Sequence, residues 1–219
     1  ILRGLVGSEM CIRDRKDGLS PSPPPASLER CRRILLLCGS RMPEALHNFH
    51  RLIRGLMQMP SPVPLAVLAA LGSTPLQQEL KELLQSLGFR SCPPPSTALE
   101  AAECWVYGRV LLLIGPGRFQ QWVAWAEAGV ATAGTATEQM VGLGIPALSL
   151  PGPGPQFTRG FAARQSRLLG GAVRTCRTEE ELGSRLAQLL NDPLLRQEMG
   201  RIGRQRMGTA GGSEAIAKE

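Results

Sequence analysis

The sequence predicts an α/β fold, a doubly wound parallel sheet with helices on both faces, and three observations predict it. Strand-length apolar runs such as Ile34 to Cys38 are continuous rather than alternating, as a strand buried on both faces requires. Segments with an i, i+3, i+4 apolar stripe separate those runs. Glycine or proline marks most junctions between them. Strand and helix therefore alternate, the rhythm of a parallel sheet covered on both sides.

The elements follow in order. After the strand Ile34 to Cys38, the segment Pro43 to Met59 carries Leu46, Phe49, Leu52, Ile53 and Leu56 on one helical face. Leu65 to Leu68 is the next strand, and Pro75 to Leu87 is an amphipathic helix stopped by Gly88. Cys92 to Pro95 is a proline-rich turn. Trp105 to Tyr107 and Val110 to Ile114, split by Gly108 and Arg109, make either a hairpin or one bent strand. A helix is expected over Phe119 to Ala128, ending at Gly129, and a strand over Val130 to Ala133. The helix Thr135 to Val141, the strand Ala147 to Leu150 and a proline-glycine loop come next. Phe157 to Leu169 is helical up to Gly170 and Gly171, and Ala172 to Thr175 is a short strand. Thr178, with Glu181 as its capping-box partner, opens a helix through Leu190. Asn191, Asp192 and Pro193 break that helix and start the last one, Leu194 to about Met207, with Asp192 as its cap.

The ends of the chain differ from this body. Ile1 to Arg15 has no hydrophobic period, and Glu9, Arg13 and Asp14 interrupt any apolar core of a signal peptide. It resembles a translated adapter sequence, so residues 1–15 are expected to be a non-native or disordered leader. Residues 16–30, with Ser20 to Ala26 rich in proline, are expected to be a stiff linker. Residues 31–219 are then the α/β domain.

Composition narrows the partners. Of 219 residues, 43% are hydrophobic, enough for a core, while aromatics at 4% leave that core to aliphatic side chains. The net charge of +7 invites a polyanion, yet nothing supplies the stacking platform of single-strand binders, so a basic surface without nucleic acid is the better reading. Attraction to an anionic membrane surface ranks second. Six cysteines without a Cys-x-x-Cys spacing, Cys38 and Cys104 among apolar runs, read as reduced and largely buried thiols in a cytoplasmic protein. The apolar stretch Val63 to Leu71 is shorter than the ~20 residues of a membrane span.

Two loops at strand C-termini carry candidate chemistry, since open α/β sheets bind ligands there. In the first, Gly39 allows close backbone approach, Ser40 caps a helix or bonds a phosphate oxygen, and Arg41 offers a charged fork. Glu44 either completes a capping box with Ser40 or orients Arg41. The second is Gly134, Thr135, Ala136, Thr137, Glu138 and Gln139. It aims a helix N-terminus, with unpaired N–H groups, at whatever sits above the strands, a place suited to phosphate. Thr135 and Glu138 also fit a plain capping box, which needs no ligand. The loop Pro151 to Phe157 opens beside it, held in shape by proline and glycine.

Three motifs now stand in order: Gly39-Ser40-Arg41 with Glu44, the block from Ala133 to Pro146, and Gly154-Pro155-Gln156-Phe157-Thr158. Together they resemble the C-terminal half of lipid-A-disaccharide synthase, most closely its cyanobacterial synthase-related relatives, from about Lys16 onward. The resemblance implies a Rossmann-like donor domain of the two-domain GT-B glycosyltransferase architecture. It implies a UDP-sugar diphosphate over Gly134 and Thr135, with Ser40 and Arg41 near the phosphates or the donor sugar, and Gln156, Phe157 and Thr158 among the donor-binding residues. It implies an acidic residue on the ribose. Counted back from Pro146 that place falls on Gln139, with Glu138 one earlier, and neighbours on a helix point about 100° apart, so one of the two takes the role. It further implies a lipid-linked acceptor bound through an N-terminal domain that is expected to be missing upstream of Lys16 and to hold the catalytic base. No catalytic residue, cofactor or metal is therefore expected in this chain, and a peripheral contact at the inner membrane is. The alternatives are half of a sugar-nucleotide epimerase and a non-catalytic nucleotide-sugar binding module.

Other signals are weaker. His47 and His50 share a helix face, but no third ligand stands near them in sequence, so a solvated face explains them. Asp14, Asp17 and Asp192 are the three aspartates, which excludes an Asp-x-Asp metal motif. No Gly-x-Gly-x-x-Gly follows a strand and no Gly-Lys-Ser/Thr loop occurs, which disfavours NAD binding and ATP hydrolysis. Trp105, Trp122 and Trp125 are expected to cover the sheet.

Overall fold

The computed structural model describes residues 23–208; the expected leader 1–15 and the first part of the linker lie outside them. The strands are β1 (Arg32–Leu37), β2 (Leu65–Leu71), β3 (Arg90–Ser91), β4 (Glu103–Tyr107), β5 (Val110–Pro116), β6 (Ala128–Ala131), β7 (Ala147–Ser149) and β8 (Val173–Thr175). The helices are α1 (Glu44–Met57), α2 (Gln77–Ser86), α3 (Phe119–Val123), α4 (Thr135–Gly142), α5 (Arg159–Leu168), α6 (Glu179–Asn191) and α7 (Pro193–Met207). The strands join in one sheet, ordered β3-β4-β5-β2-β1-β6-β7-β8. Every pairing is parallel except the two made by β4, which is antiparallel to β3 and β5. The segment around Gly108 is thus a hairpin rather than a bent strand.

The continuous apolar runs are explained by two cores, one on each face. Ile34 and Leu36 of β1 face α1, α2 and α6, meeting Phe49, Leu52, Leu80 and Leu186. Leu35 and Leu37 face the other way, with Trp122, Met140 and Val141. Both sets are buried, so none of these four β1 positions is free to be polar. The three tryptophans are buried too; the indole N–H of Trp122 donates to the Leu99 carbonyl at 3.1 Å, which meets the one polar demand of that ring.

Several boundaries move for physical reasons. The helix expected over Phe119 to Ala128 stops at Val123, because tight turns from Trp122 and Val123 sink both tryptophans and the Glu127 N–H then joins the Arg33 carbonyl at 2.9 Å. Ala128 and Gly129 consequently enter β6, paired with Ile34 and Leu35, and Ala133 leaves the strand for the loop. Phe157 precedes its helix: Thr158 is the cap of α5 and accepts the Phe161 N–H at 3.2 Å. Thr178 and Asp192 cap α6 and α7 as expected. The Glu181 carboxylate, however, takes the Arg177 N–H at 2.6 Å, one residue ahead of the cap. Leu28, within the expected linker, is fully buried in the second core, so packing starts ahead of Cys31.

Helices α1 and α6 touch backbone to backbone. A Cβ on Gly183 would lie 2.7 Å from the Gly55 carbonyl oxygen and 3.2 Å from the Met59 nitrogen. Gly183→Ala is therefore expected to destabilise the fold by about 1–3 kcal/mol through overpacking, read as a lower urea midpoint. Ser184→Ala on the exposed side of the same helix should shift it by less than ~0.5 kcal/mol. Equal midpoints for the two variants would contradict the contact.

Candidate functional site

Strand β1 lies between β2 on one side and β6 on the other, so the chain leaves β1 in one direction and returns to its other flank later. This reversal is a switch point, where the loops after neighbouring strands part and leave a crevice. Because β1 and β6 are parallel and adjacent, the turns after Leu37 and Ala131 emerge on the same edge of the sheet. A cleft of about 780 Å³ opens there. Its floor is the end of β1 and β6, including Cys38 and Thr132.

Local chemistry shapes each wall. Gly39 adopts φ +88°, a conformation that favours glycine, and a Cβ there would stand 3.3 Å from the Thr132 carbonyl oxygen. The Ser40 carbonyl accepts the Thr74 hydroxyl at 2.5 Å, which ties the first loop to the loop after β2. Opposite, Gly134 is the cap residue of α4 and uses no side chain, and Thr135 is the first residue of the helix. The capping box expected of Thr135 with Glu138 does not form: Glu138 donates its N–H to the Gly134 carbonyl at 3.2 Å, and Gly134 already fills the cap position. Among the described residues, no protein acceptor takes the N–H of Thr135 or Ala136, and both residues line the cleft.

The third wall is the proline-glycine loop, and Glu44 fixes it. This carboxylate is buried, 8% exposed, at the first position of α1. Its two oxygens accept the backbone N–H groups of Gln156 at 2.9 Å and Phe157 at 2.7 Å. It thus neither caps with Ser40 nor pairs with Arg41. Both oxygens are engaged, and Gly154 leaves room for them, since a Cβ there would meet the carboxylate carbon at 2.4 Å. At the other end of the loop Arg51 donates to the Pro151 carbonyl at 2.8 Å. Arg41 reaches over the loop to the Gln156 side-chain oxygen. Phe157 and Phe161 pack with their rings tilted by 59°, 5.4 Å between ring centres, and close that side.

The sequence-predicted residues divide accordingly. Gly39, Ser40, Arg41, Glu44, Gly134, Thr135, Ala136, Gln139, Gln156 and Phe157 meet around the cleft. Thr137 does not: it is fully buried and its hydroxyl donates back to the Ala133 carbonyl at 2.6 Å. Glu138 stands outside the lining, whereas Gln139, its neighbour on α4, lies within it, as the 100° step between successive helical residues requires. Thr158 is spent as a helix cap. Asn48, Thr132, Phe161, Phe119 and Gln120 line the cleft without having been expected. Asn48 sits four residues after Glu44, one helical turn on, which is the signal that would have found it.

The cleft's electrostatics favour an anion and offer little reactivity. Arg41 is the cation in the lining, and Glu44 is its one carboxylate, already bonded to two N–H groups. Burial pushes the Cys38 thiol up to about 12, so it stays neutral at physiological pH and is no nucleophile.

Comparisons with known proteins bear on the fold. No protein-family model matches the chain, and neither does any curated protein. Solved structures do match. A protein assigned as a UDP-N-acetylglucosamine 2-epimerase, from Listeria monocytogenes, aligns with a TM-score of 0.63 at 15% identity, over 95% of this chain and 50% of its own. S. aureus MnaA, in a co-structure with UDP, gives 0.60 at 16% identity, over 94% and 50%. The glycosyltransferase VinC, in complex with dTDP, gives 0.53 at 14% identity, over 91% and 44%. The chain has the Rossmann-like fold of one half of a GT-B protein. It spans about half the length of each of these structures. Among the described residues no helix is long and apolar enough to cross a membrane.

The Glu44 latch is testable. Glu44→Gln keeps the shape but turns an NH₂ toward one of the two backbone donors. Hydrogen bonds to a charged group contribute ~1.5–3 kcal/mol each, so a stability loss of about 2 kcal/mol is expected. Hydrogen exchange should speed up more at the Gln156 and Phe157 amides than at Leu52 in the core, whose rate changes only with the loss of global stability. Unchanged exchange at those two amides would contradict the latch.

Proposed function

We propose that this chain is the donor-binding half of a nucleotide-sugar-dependent glycosyltransferase similar to lipid-A-disaccharide synthase. The observation that carries the reading is the convergence of the Gly39–Arg41 turn and the N-terminus of α4 on one cleft at the switch point. In this reading the diphosphate of a UDP-sugar rests against the free N–H groups of Thr135 and Ala136, where the helix dipole and Arg41 oppose its charge. Gln139 takes the ribose, its amide replacing the carboxylate of the family pattern, and Glu138 does not. Ser40 faces the phosphates or the sugar. Glu44, Gln156 and Phe157 shape the rim rather than hold the ligand by charge.

Transfer of a hexosamine-type sugar to a lipid-linked acceptor then belongs to the full-length protein. The acceptor-binding site and the catalytic base come from an N-terminal domain, and the work is done in the cytoplasm with a peripheral contact at the inner membrane. The likeness of the chain to half-length segments of larger structures supports a partner domain. A second reading, half of a sugar-nucleotide epimerase, is favoured by the 0.63 TM-score to the Listeria protein. Epimerisation needs acid–base groups, and the cleft lining includes no histidine or aspartate and a single, engaged glutamate. The three motifs carry the transferase reading ahead of it.

Calorimetry distinguishes the readings. UDP is expected to bind more tightly than ADP or NAD; tighter binding of NAD would end the proposal. Arg41→Ala removes the charged fork, and Thr135→Pro deletes one N–H at a helix position that tolerates proline. Each is expected to weaken UDP binding about tenfold, the loss of one charge-assisted hydrogen bond. Unchanged affinity in both variants would move the site elsewhere.

A further inference from the structure

Gln165 is polar, 3% exposed, and sits on α5 behind the turn that carries the α4 N-terminus. Its side-chain NH₂ donates to two carbonyl oxygens of that turn, Ala133 and Gly134, each at 3.3 Å. Its own oxygen Oε1 is buried with no partner. The two carbonyls set this orientation, because a flipped amide would turn its oxygen against both of theirs. A buried acceptor left unbonded is unfavourable, and an apolar side chain of the same length would avoid it. Packing alone therefore does not account for glutamine here.

The effect on the turn follows from peptide geometry. Cis bonds are confined to Met42–Pro43 and Thr74–Pro75 among the described residues, so the peptides after Ala133 and Gly134 are trans. In a trans peptide the carbonyl and the N–H point opposite ways. Holding the two carbonyls toward α5 turns the N–H groups of Gly134 and Thr135 to the other side, and both residues line the cleft. The Thr137 hydroxyl bonds the Ala133 carbonyl at 2.6 Å, and the Thr137 and Glu138 N–H groups bond the Gly134 carbonyl at 3.1 and 3.2 Å. Those donors come from α4 itself and move with it. Gln165 is the tie that anchors the turn to a second helix.

We propose that Gln165 is a positioning residue that fixes the peptide planes of the 133–135 turn so that their N–H groups face a bound diphosphate. This rests on the donor-binding reading above and adds to it a residue outside the cleft lining. Gln165 touches no ligand. It acts through the turn, on the phosphate-bearing part of the ligand alone.

The test uses the whole chain with Gln165→Met, which keeps length and removes the donors, and Gln165→Glu, which replaces the donors by acceptors. UDP, uridine and inorganic pyrophosphate are titrated by calorimetry and by amide NMR, with the thermal midpoint of each variant measured alongside. UDP and pyrophosphate affinity should fall about tenfold in Gln165→Met, the loss of one hydrogen-bonded arrangement, and further in Gln165→Glu. Uridine affinity should not change, and the Gly134 and Thr135 amide signals should shift in the free variants. UDP affinity equal to that of the unaltered chain in Gln165→Met would overturn the role while leaving the donor site standing. An equal loss for UDP and uridine would overturn it as well, since that marks a loosened fold. If the unaltered chain binds neither UDP nor pyrophosphate, the donor reading itself fails and this role goes with it.

Discussion

The cleft depends on one buried carboxylate. Glu44 bonds two backbone amides that lie 112 and 113 residues away in sequence. A charged group at this depth is tolerated because both oxygens are satisfied and because the start of α1 carries the positive end of the helix dipole. Without it the loop after β7 would leave the Phe157 N–H buried and the Gln156 N–H half-buried without this acceptor, and only Arg51 would tie its other end to α1. The three walls then would not enclose a common space. The same bond spends the one carboxylate in the cleft lining, so the interaction that builds the cavity also removes its most obvious reactive group.

How much of this was legible in the sequence depends on the range of the interactions concerned. Continuous apolar runs located β1, β2, β5 and β7 because burial on both faces leaves no choice of residue type. The strands and helices around Trp122 were misplaced at their ends. There, local propensity favoured a longer helix and the β1–β6 ladder took Ala128 and Gly129 instead. Thr135 looked like a cap because its spacing to Glu138 fits the box, but spacing cannot tell which residue the chain turns on. Gly134 turned first.

The site followed the same rule. The two turns and the loop after β7 were found from glycine, proline and their position after strands. Their meeting at one edge needed the strand order, which sequence alone does not state. The roles of Glu44 and Gln165 were out of reach, since each bonds to a segment distant in the chain and neither stands in a pattern of period two or 3.6. The choice between Glu138 and Gln139 needed only the rotation of α4, a single angle, to place Gln139 at the cleft.

The sheet margin beyond β4 has a consequence for how the protein behaves in a crowded solution. Strand β3 is two residues long and outermost, and Pro93, Pro94 and Pro95 follow it after Cys92. Proline has no N–H to offer, so a foreign strand laid along this rim would find few donors to pair with. The opposite rim, β8, is three residues long and presents the charged Arg174. Among the described residues, both margins are thereby poor templates for edge-to-edge pairing with another strand.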